Sequence, residues 1–276
     1  MFGFILAISG SLFNELSDTI GKKKIEDKKV GVYTIGFLTV IFGFVFYAVS
    51  AYFRNSFVFS LDSLPTFVVR MIAETILNYV VINALAKADR STFGFVRSLT
   101  IPLLLITDLF MGYSISNTKL LGIFIIFVSI FFIFFSKDIN KKGIGLLVTG
   151  SILAVITLSI YKYDIKHFNS VEGEQMMASL INIIFFFLMA KFKDKENPFI
   201  FLKKPIFLAQ AIFSGFSSVL GGFAYLFGSP SVIVTTLRGS AILFSTLSGD
   251  FYFKEKKLST KLALSFSIVI GLIFLI

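Results

Sequence analysis

The stretch LLGIFIIFVSIFFIFF (Leu120–Phe135) carries no charged side chain from end to end. A helix needs about 20 apolar residues to cross the hydrocarbon core of a bilayer, and runs of this kind recur along the whole chain. Of 276 residues, 56% are hydrophobic and only 15% are charged, against roughly 25% charged in soluble domains. The apolar residues do not alternate with polar ones at a period of two, as the strands of a membrane barrel would. The sequence therefore predicts an all-α membrane protein.

Ten transmembrane helices are predicted, at 2–21, 31–53, 65–86, 91–111, 119–136, 143–162, 173–191, 205–227, 231–250 and 260–276. The first is read as a retained span, because no basic segment precedes it and Glu15 and Asp18 lie within it. Pro65, Pro205 and Pro230 fall at or near span starts, where a missing N–H is harmless. Pro102 lies inside the fourth span, frees the carbonyl of Ser98 and predicts a kink there.

The chain also matches itself. Laid over its own second half, LAISGSLFNELSDTIGKKK (Leu6–Lys24) falls on LLVTGSILAVITLSIYKYD (Leu146–Asp164), pairing Gly10-Ser11 with Gly150-Ser151 and Lys22 with Lys162. With the register moved by a single position, Arg97 in FGFVRSLTIPLLL falls on Arg238 in VIVTTLRGSAILF. Each half then holds five spans. Five is odd, so the second half enters the membrane upside down. The predicted organisation is one membrane domain of two inverted five-helix repeats, residues 1–136 and 137–276, a plan common among secondary transporters.

The net charge is +10, which in a soluble protein would suggest nucleic acid. Here the lysines cluster in short loops between spans, where membrane lipids and topology account for them, so no nucleic-acid partner is expected. Nineteen Lys and Arg residues fall in the odd-numbered loops and four in the even-numbered ones. Positive loops stay in the cytoplasm, which predicts a multi-pass protein of the cell (inner) membrane with both termini outside. The chain has no cysteine, and its one histidine, His167, is placed in a loop. No metal site, cofactor or enzyme active site is expected from such a set.

Charges at mid-membrane are costly and normally face protein or water. Ser11, Glu15 and Asp18 share one face of the first span, with Asn14 beside them, and Arg70, Glu74 and Asn78 share a face of the third. Depth along the spans pairs Glu15 with Arg97, and Glu74 with Arg70 or Arg238. Against this stands the reading that such pairs are static clips between helices. Three buried arginines against two glutamates leave a positive surplus, which suits an anion or a zwitterion, since the planar guanidinium fork matches carboxylate and phosphate. The candidate substrate-binding residues are Arg97, Arg238, Asn14, Asn78, Tyr79, Gln210 and Tyr225. Glu15, Glu74 and Arg70 are candidates for charge pairs or for carrying a coupling proton. Gly215, Gly221 and Gly222 are expected to allow close helix packing.

The segments Val96–Phe135 and Leu237–Ile276 resemble the fourth and fifth and the ninth and tenth spans of the drug/metabolite transporter superfamily, EamA-like branch. That family commonly has a glutamate in the hairpin between those spans. Glu255 in FKEKKLS fits the position, whereas MGYSISNTK (Met111–Lys119) has no acid. The resemblance implies a carrier whose spans 1, 3, 4, 6, 8 and 9 surround a central cavity, with spans 5 and 10 at the periphery. It also implies cytoplasmic termini, against the loop charges, which weigh more here. The expected function is secondary-active transport of a small anionic or zwitterionic metabolite, such as an amino acid, by alternating access, as a monomer or homodimer. The alternatives are a flippase for a lipid-linked phosphate and a non-transporting membrane scaffold. A groove open sideways to lipid would mark the former, and fully paired buried charges the latter.

Overall fold

A computed structural model describes residues 1–135, 142–254, 266–271 and 273–274. The helices are α1 (Phe2–Glu26), α2 (Val32–Arg54), α3 (Leu64–Lys87), α4 (Arg90–Arg97), α5 (Thr100–Phe110), α6 (Asn117–Phe135), α7 (Ile144–His167), α8 (Val171–Met189), α9 (Pro198–Phe201), α10 (Pro205–Ala224) and α11 (Pro230–Phe253). Residues 266–271 are also helical. Among the described residues, seven helical segments are long and apolar enough to cross a membrane: Val32–Arg54, Leu61–Lys87, Thr92–Phe110, Ile144–His167, Val171–Asp194, Pro205–Phe227 and Pro230–Phe253. Among the described residues all regular structure is helical, with several apolar helices compatible with a multi-pass membrane protein. Helix α1 is as long as these but more polar, because Asn14, Glu15 and Asp18 interrupt its apolar residues.

Local chemistry sets the helix ends. Pro205 and Pro230 open α10 and α11, and Pro65 stands in the first turn of α3. Ser170 caps α8 by accepting from the Gly173 N–H at 3.0 Å, and Glu172 and Glu174 complement the positive end of its dipole. The fourth span is two helices rather than one, because α4 ends at Arg97 and α5 starts at Thr100. Pro102 has no N–H to offer the Ser98 carbonyl, which accepts instead from the Ile101 N–H at 2.9 Å. The Thr100 hydroxyl satisfies the Arg97 carbonyl at 2.8 Å. Both of these carbonyls thus keep a donor at the break, which is what a membrane interior requires.

Helix α1 packs along α10 and α11, α7 along α3, and α2 lies between α8 and α10. Equivalent contacts recur in the two halves. Gly10 meets Ser217, Leu220 and Gly221, while Gly150 meets Leu77, Val80 and Val81. Ser11 donates to the Leu237 carbonyl at 3.1 Å, and Ser151 donates to the Val96 carbonyl at 3.2 Å. Lys22 donates to the carbonyls of Leu85 and Ala88 at the end of α3, and Lys162 to that of Tyr225 at the end of α10. In both places an ammonium satisfies carbonyls left free at a helix C-terminus, where the dipole favours a cation.

Three residues assigned to loops by the sequence are therefore interior. Lys22, Lys162 and Arg90 are all buried, because the two lysines find carbonyls at helix ends and Arg90 finds the carboxylates of Glu15 and Asp18 within α1. Removing them takes the loop charge bias from nineteen against four to seventeen against three. His167 is the last residue of α7, not a loop residue, and its ring lies against Tyr163 at 4.4 Å. The boundary at 136/137, Glu255 and most of the span placed at 260–276 lie outside the described residues.

The three glycines of α10 differ in role. A Cβ on Gly215 would lie 2.7 Å from the Phe42 Cβ and 2.9 Å from its backbone carbon, and one on Gly222 would lie 2.0 Å from the Tyr47 hydroxyl. Gly221 has nothing within 4 Å in that direction. Gly215→Ala should thus destabilise the protein by about 1–3 kcal/mol, the usual cost of overpacking, and Gly221→Ala should leave stability unchanged. Thermal unfolding in detergent compares the two, and equal melting would show that α2 and α10 are not in close contact.

Candidate functional site

A cavity of about 270 Å³ lies among α1, α3, α4, α7, α8, α10 and α11. Its polar lining includes Asn14 on α1, Arg70, Glu74 and Asn78 on α3, Arg97 at the end of α4, and Arg238 on α11. Tyr161, Gln175 and Tyr225 complete the wall on the side of the loop between α7 and α8. A smaller cavity of about 190 Å³ shares Asn14, Asn78 and Arg97 with the first and continues toward Asp18 and Leu85. Those three side chains stand between two spaces that lie along the length of the bundle.

The carboxylates near the cavity gather on two arginines. Arg70 pairs with Glu74 at 2.8 Å and with Glu174, and its guanidinium lies 4.7 Å from the centre of the Tyr161 ring. Asn182 donates to Glu74 at 3.2 Å, and Asn169 to Glu174 at 2.5 Å. Arg90 pairs with Glu15 at 2.5 Å and Asp18 at 3.3 Å. Glu15 also accepts from Thr19 at 3.0 Å and Ser248 at 2.5 Å, and Asp18 from Asn14 at 3.0 Å. Arg97 and Arg238 make no ion pair among the described residues, and the buried Nε of Arg238 has no hydrogen-bond partner. Both guanidinium groups face the cavity. Arg97 and Arg90 lie against the same ring, each 5.0 Å from the centre of Phe93.

Depth along the helices thus mispaired Glu15. Its partner is Arg90, which reaches it from the first residue of α4, and Arg97 stays without a carboxylate. Glu74 takes Arg70 on its own helix, not Arg238. Of the proposed substrate-binding residues, Arg97, Arg238, Asn14, Asn78 and Tyr225 line the cavity. Tyr79 does not. It is one residue past Asn78, about 100° further round α3, where it is 39% exposed and stacks on Tyr33 at 5.9 Å. Gln210 is fully buried outside the cavity and donates to Ser17 at 3.0 Å, tying α10 to α1. Among the suspected packing glycines, Gly221 and Gly222 both line the cavity.

The sequence reading missed Arg90, Glu174, Gln175 and Tyr161. Arg90 was hidden by its setting in KADR, which reads as a loop. Two acids one turn apart, Glu15 and Asp18, were the available sign that a cation must come from another element. Glu174 and Gln175 stand in the first two turns of α8, a region read as span edge.

Stability should separate the two kinds of arginine. Arg90→Ala leaves Glu15 and Asp18 buried without their cation, and removing one partner of a buried pair costs about 3–5 kcal/mol. Arg97→Ala strands no carboxylate and should leave stability within about 1 kcal/mol of the parent. Denaturant titration in mixed micelles measures both, and equal losses would place a carboxylate against Arg97.

No family model matches the chain, and no curated protein matches it. Several solved structures are similar to it, among them a crystal structure of a protein that matches over 98% of this chain and 97% of that chain, with a TM-score of 0.69 and 12% sequence identity. At that identity the likeness shows the fold alone.

Proposed function

We propose that the chain is a secondary-active carrier for a small anionic or zwitterionic metabolite, such as an amino acid, working by alternating access. The observation that carries this reading is the pair of arginines, Arg97 and Arg238, that line one cavity with no carboxylate of their own among the described residues. A charge inside a membrane protein without a partner is costly. A substrate carboxylate would supply what is missing, and two planar forks would hold it in a defined orientation. Glu74 also lines the cavity, with 17% of its side chain exposed. It suits the ammonium end of a zwitterion, and it is better placed than Glu15 to take up a coupling proton, since Glu15 does not line that cavity.

The proposal includes ten spans in two inverted five-helix repeats and membership of the drug/metabolite transporter superfamily, EamA-like branch. The contacts repeated between the halves support the repeat, since Gly10 and Gly150, Ser11 and Ser151, and Lys22 and Lys162 each meet corresponding partners. Lining of the cavity by α1, α3, α4, α7, α10 and α11 agrees with what the resemblance implies, whereas Gln175 of α8, in the seventh predicted span, lines it beyond that set. The unpaired arginines weigh against a scaffold, whose buried charges should be matched. The flippase reading needs a lipid-facing groove that reaches the arginines. The cleft between α1 and α11 shares no lining residue with the central cavity.

In proteoliposomes loaded against a panel of amino acids, nucleotides and organic anions, uptake of at least one carboxylate compound is expected. Arg97→Ala and Arg238→Ala should each lower its uptake by about ten- to a hundredfold, the worth of hydrogen bonds to a charged group. Normal uptake by both variants would end the proposal. Location in the cell (inner) membrane with the termini outside is tested by single cysteines, since the chain has none of its own. An impermeant thiol reagent on intact cells should label Ser114→Cys and spare Lys193→Cys, and the reverse pattern would put the termini inside.

A further inference from the structure

A second, larger space opens on the flank of the bundle. It measures about 620 Å³ and lies between α1 and α11, away from the central cavity. Leu12, Leu16, Leu247 and Phe251 form its walls and are exposed on the helix surfaces that face away from the core. At its mouth stand Lys23 and Lys24, and Tyr252 stands opposite on α11.

The cleft has the length of one leaflet. From Leu12 to Lys24 the helix rises about 18 Å, slightly more than half of a hydrocarbon core about 30 Å thick. With the lysines and Tyr252 at the level of the head groups, Leu12 stands near the midplane. The apolar walls fit an acyl chain, and the mouth is positive. Lys24 has no ion pair among the described residues, and Lys23 has only the exposed Asp27 at 3.6 Å. The polar floor is already satisfied. The Glu15 oxygens accept from Arg90, Thr19 and Ser248, so no acceptor is left there for a cationic guest.

We propose that this cleft binds one phospholipid with an anionic head group, its chain between α1 and α11 and its phosphate at Lys23 and Lys24. The site is separate from the proposed carrier function and does not depend on it.

The chain contains no tryptophan, so a single introduced indole reports its own surroundings. Leu247→Trp places one on the cleft wall, where Leu247 is 53% exposed. Leu188→Trp places one on the outer face of α8, at a residue 45% exposed and close to Lys191 and Lys193 but outside the cleft. Both variants, matched for helix content by circular dichroism, are reconstituted in phosphatidylcholine vesicles. These contain either dibrominated phosphatidylglycerol or dibrominated phosphatidylcholine as quencher. The expected result is a preference of phosphatidylglycerol for the indole at position 247 of about fivefold per lysine, reduced by salt and removed in a Lys23→Gln/Lys24→Gln background. Position 188 should show little preference. Equal quenching by the two lipids at position 247 would overturn the proposal. So would a preference of the same size at position 188, which would mean a generally basic face, or a preference that survives the double substitution.

Discussion

Two arginines hold four carboxylates, and that allocation decides the character of the interior. Arg90 takes Glu15 and Asp18 from α1, and Arg70 takes Glu74 from α3 and Glu174 from α8. Each cluster carries one more negative charge than positive. Each is stable in a low-dielectric setting only because hydroxyl and amide donors such as Ser248, Thr19, Asn14, Asn182 and Asn169 satisfy the remaining lone pairs. Arg97 and Arg238 balance the sum from a distance. The interior is nearly neutral as a whole and positive where the cavity is.

The same economy of polar groups governs the helix ends. A membrane interior offers no water to a free carbonyl. The carbonyls at the ends of α3 and α10 are met by Lys22 and Lys162, each a residue of another long helix. These ammonium groups do two things at once. They satisfy the helix termini, and they tie α1 to α3 and α7 to α10. Serines play the lesser part of the same role, with Ser11 reaching the Leu237 carbonyl and Ser151 the Val96 carbonyl. Such tethers occur at positions that match in the overlay of the two halves of the sequence. The residues that match there, Gly10 and Gly150, Ser11 and Ser151, Lys22 and Lys162, are ones that touch another helix.

Seven of the predicted spans were readable from the sequence because length and apolarity separate them from loops. The break in the fourth span was readable because Pro102 leaves a named carbonyl without a donor. Which residues face the cavity was readable where polar residues repeat at helical spacing, as Arg70, Glu74 and Asn78 do on α3. Partners were not readable. Choosing Arg97 for Glu15 used depth along separate helices, and depth says nothing of how far two helices stand apart or how they are turned. Tyr79 failed for the related reason that a neighbour in sequence is a quarter-turn or more away in azimuth. Gln210 failed because a buried amide serves a helix contact as readily as a ligand, and only the position of Ser17 decides between them.

Helix α4 joins the two charge regimes. It is eight residues long, with Arg90 at one end and Arg97 at the other. Seven residues make nearly two turns, so both arginines project from similar sides. Phe93 lies between them with its ring 5.0 Å from each guanidinium. One of these cations is fixed by two carboxylates of α1, and the other faces the cavity. The Ser98–Leu99 break detaches this short helix from α5, so α4 is a separate rigid piece rather than the start of a long span. A rigid-body displacement of α4 would move Arg90 and Arg97 together, since both are carried by the one helix. In this fold the cation that holds α1 and a cation lining the cavity belong to one short helix.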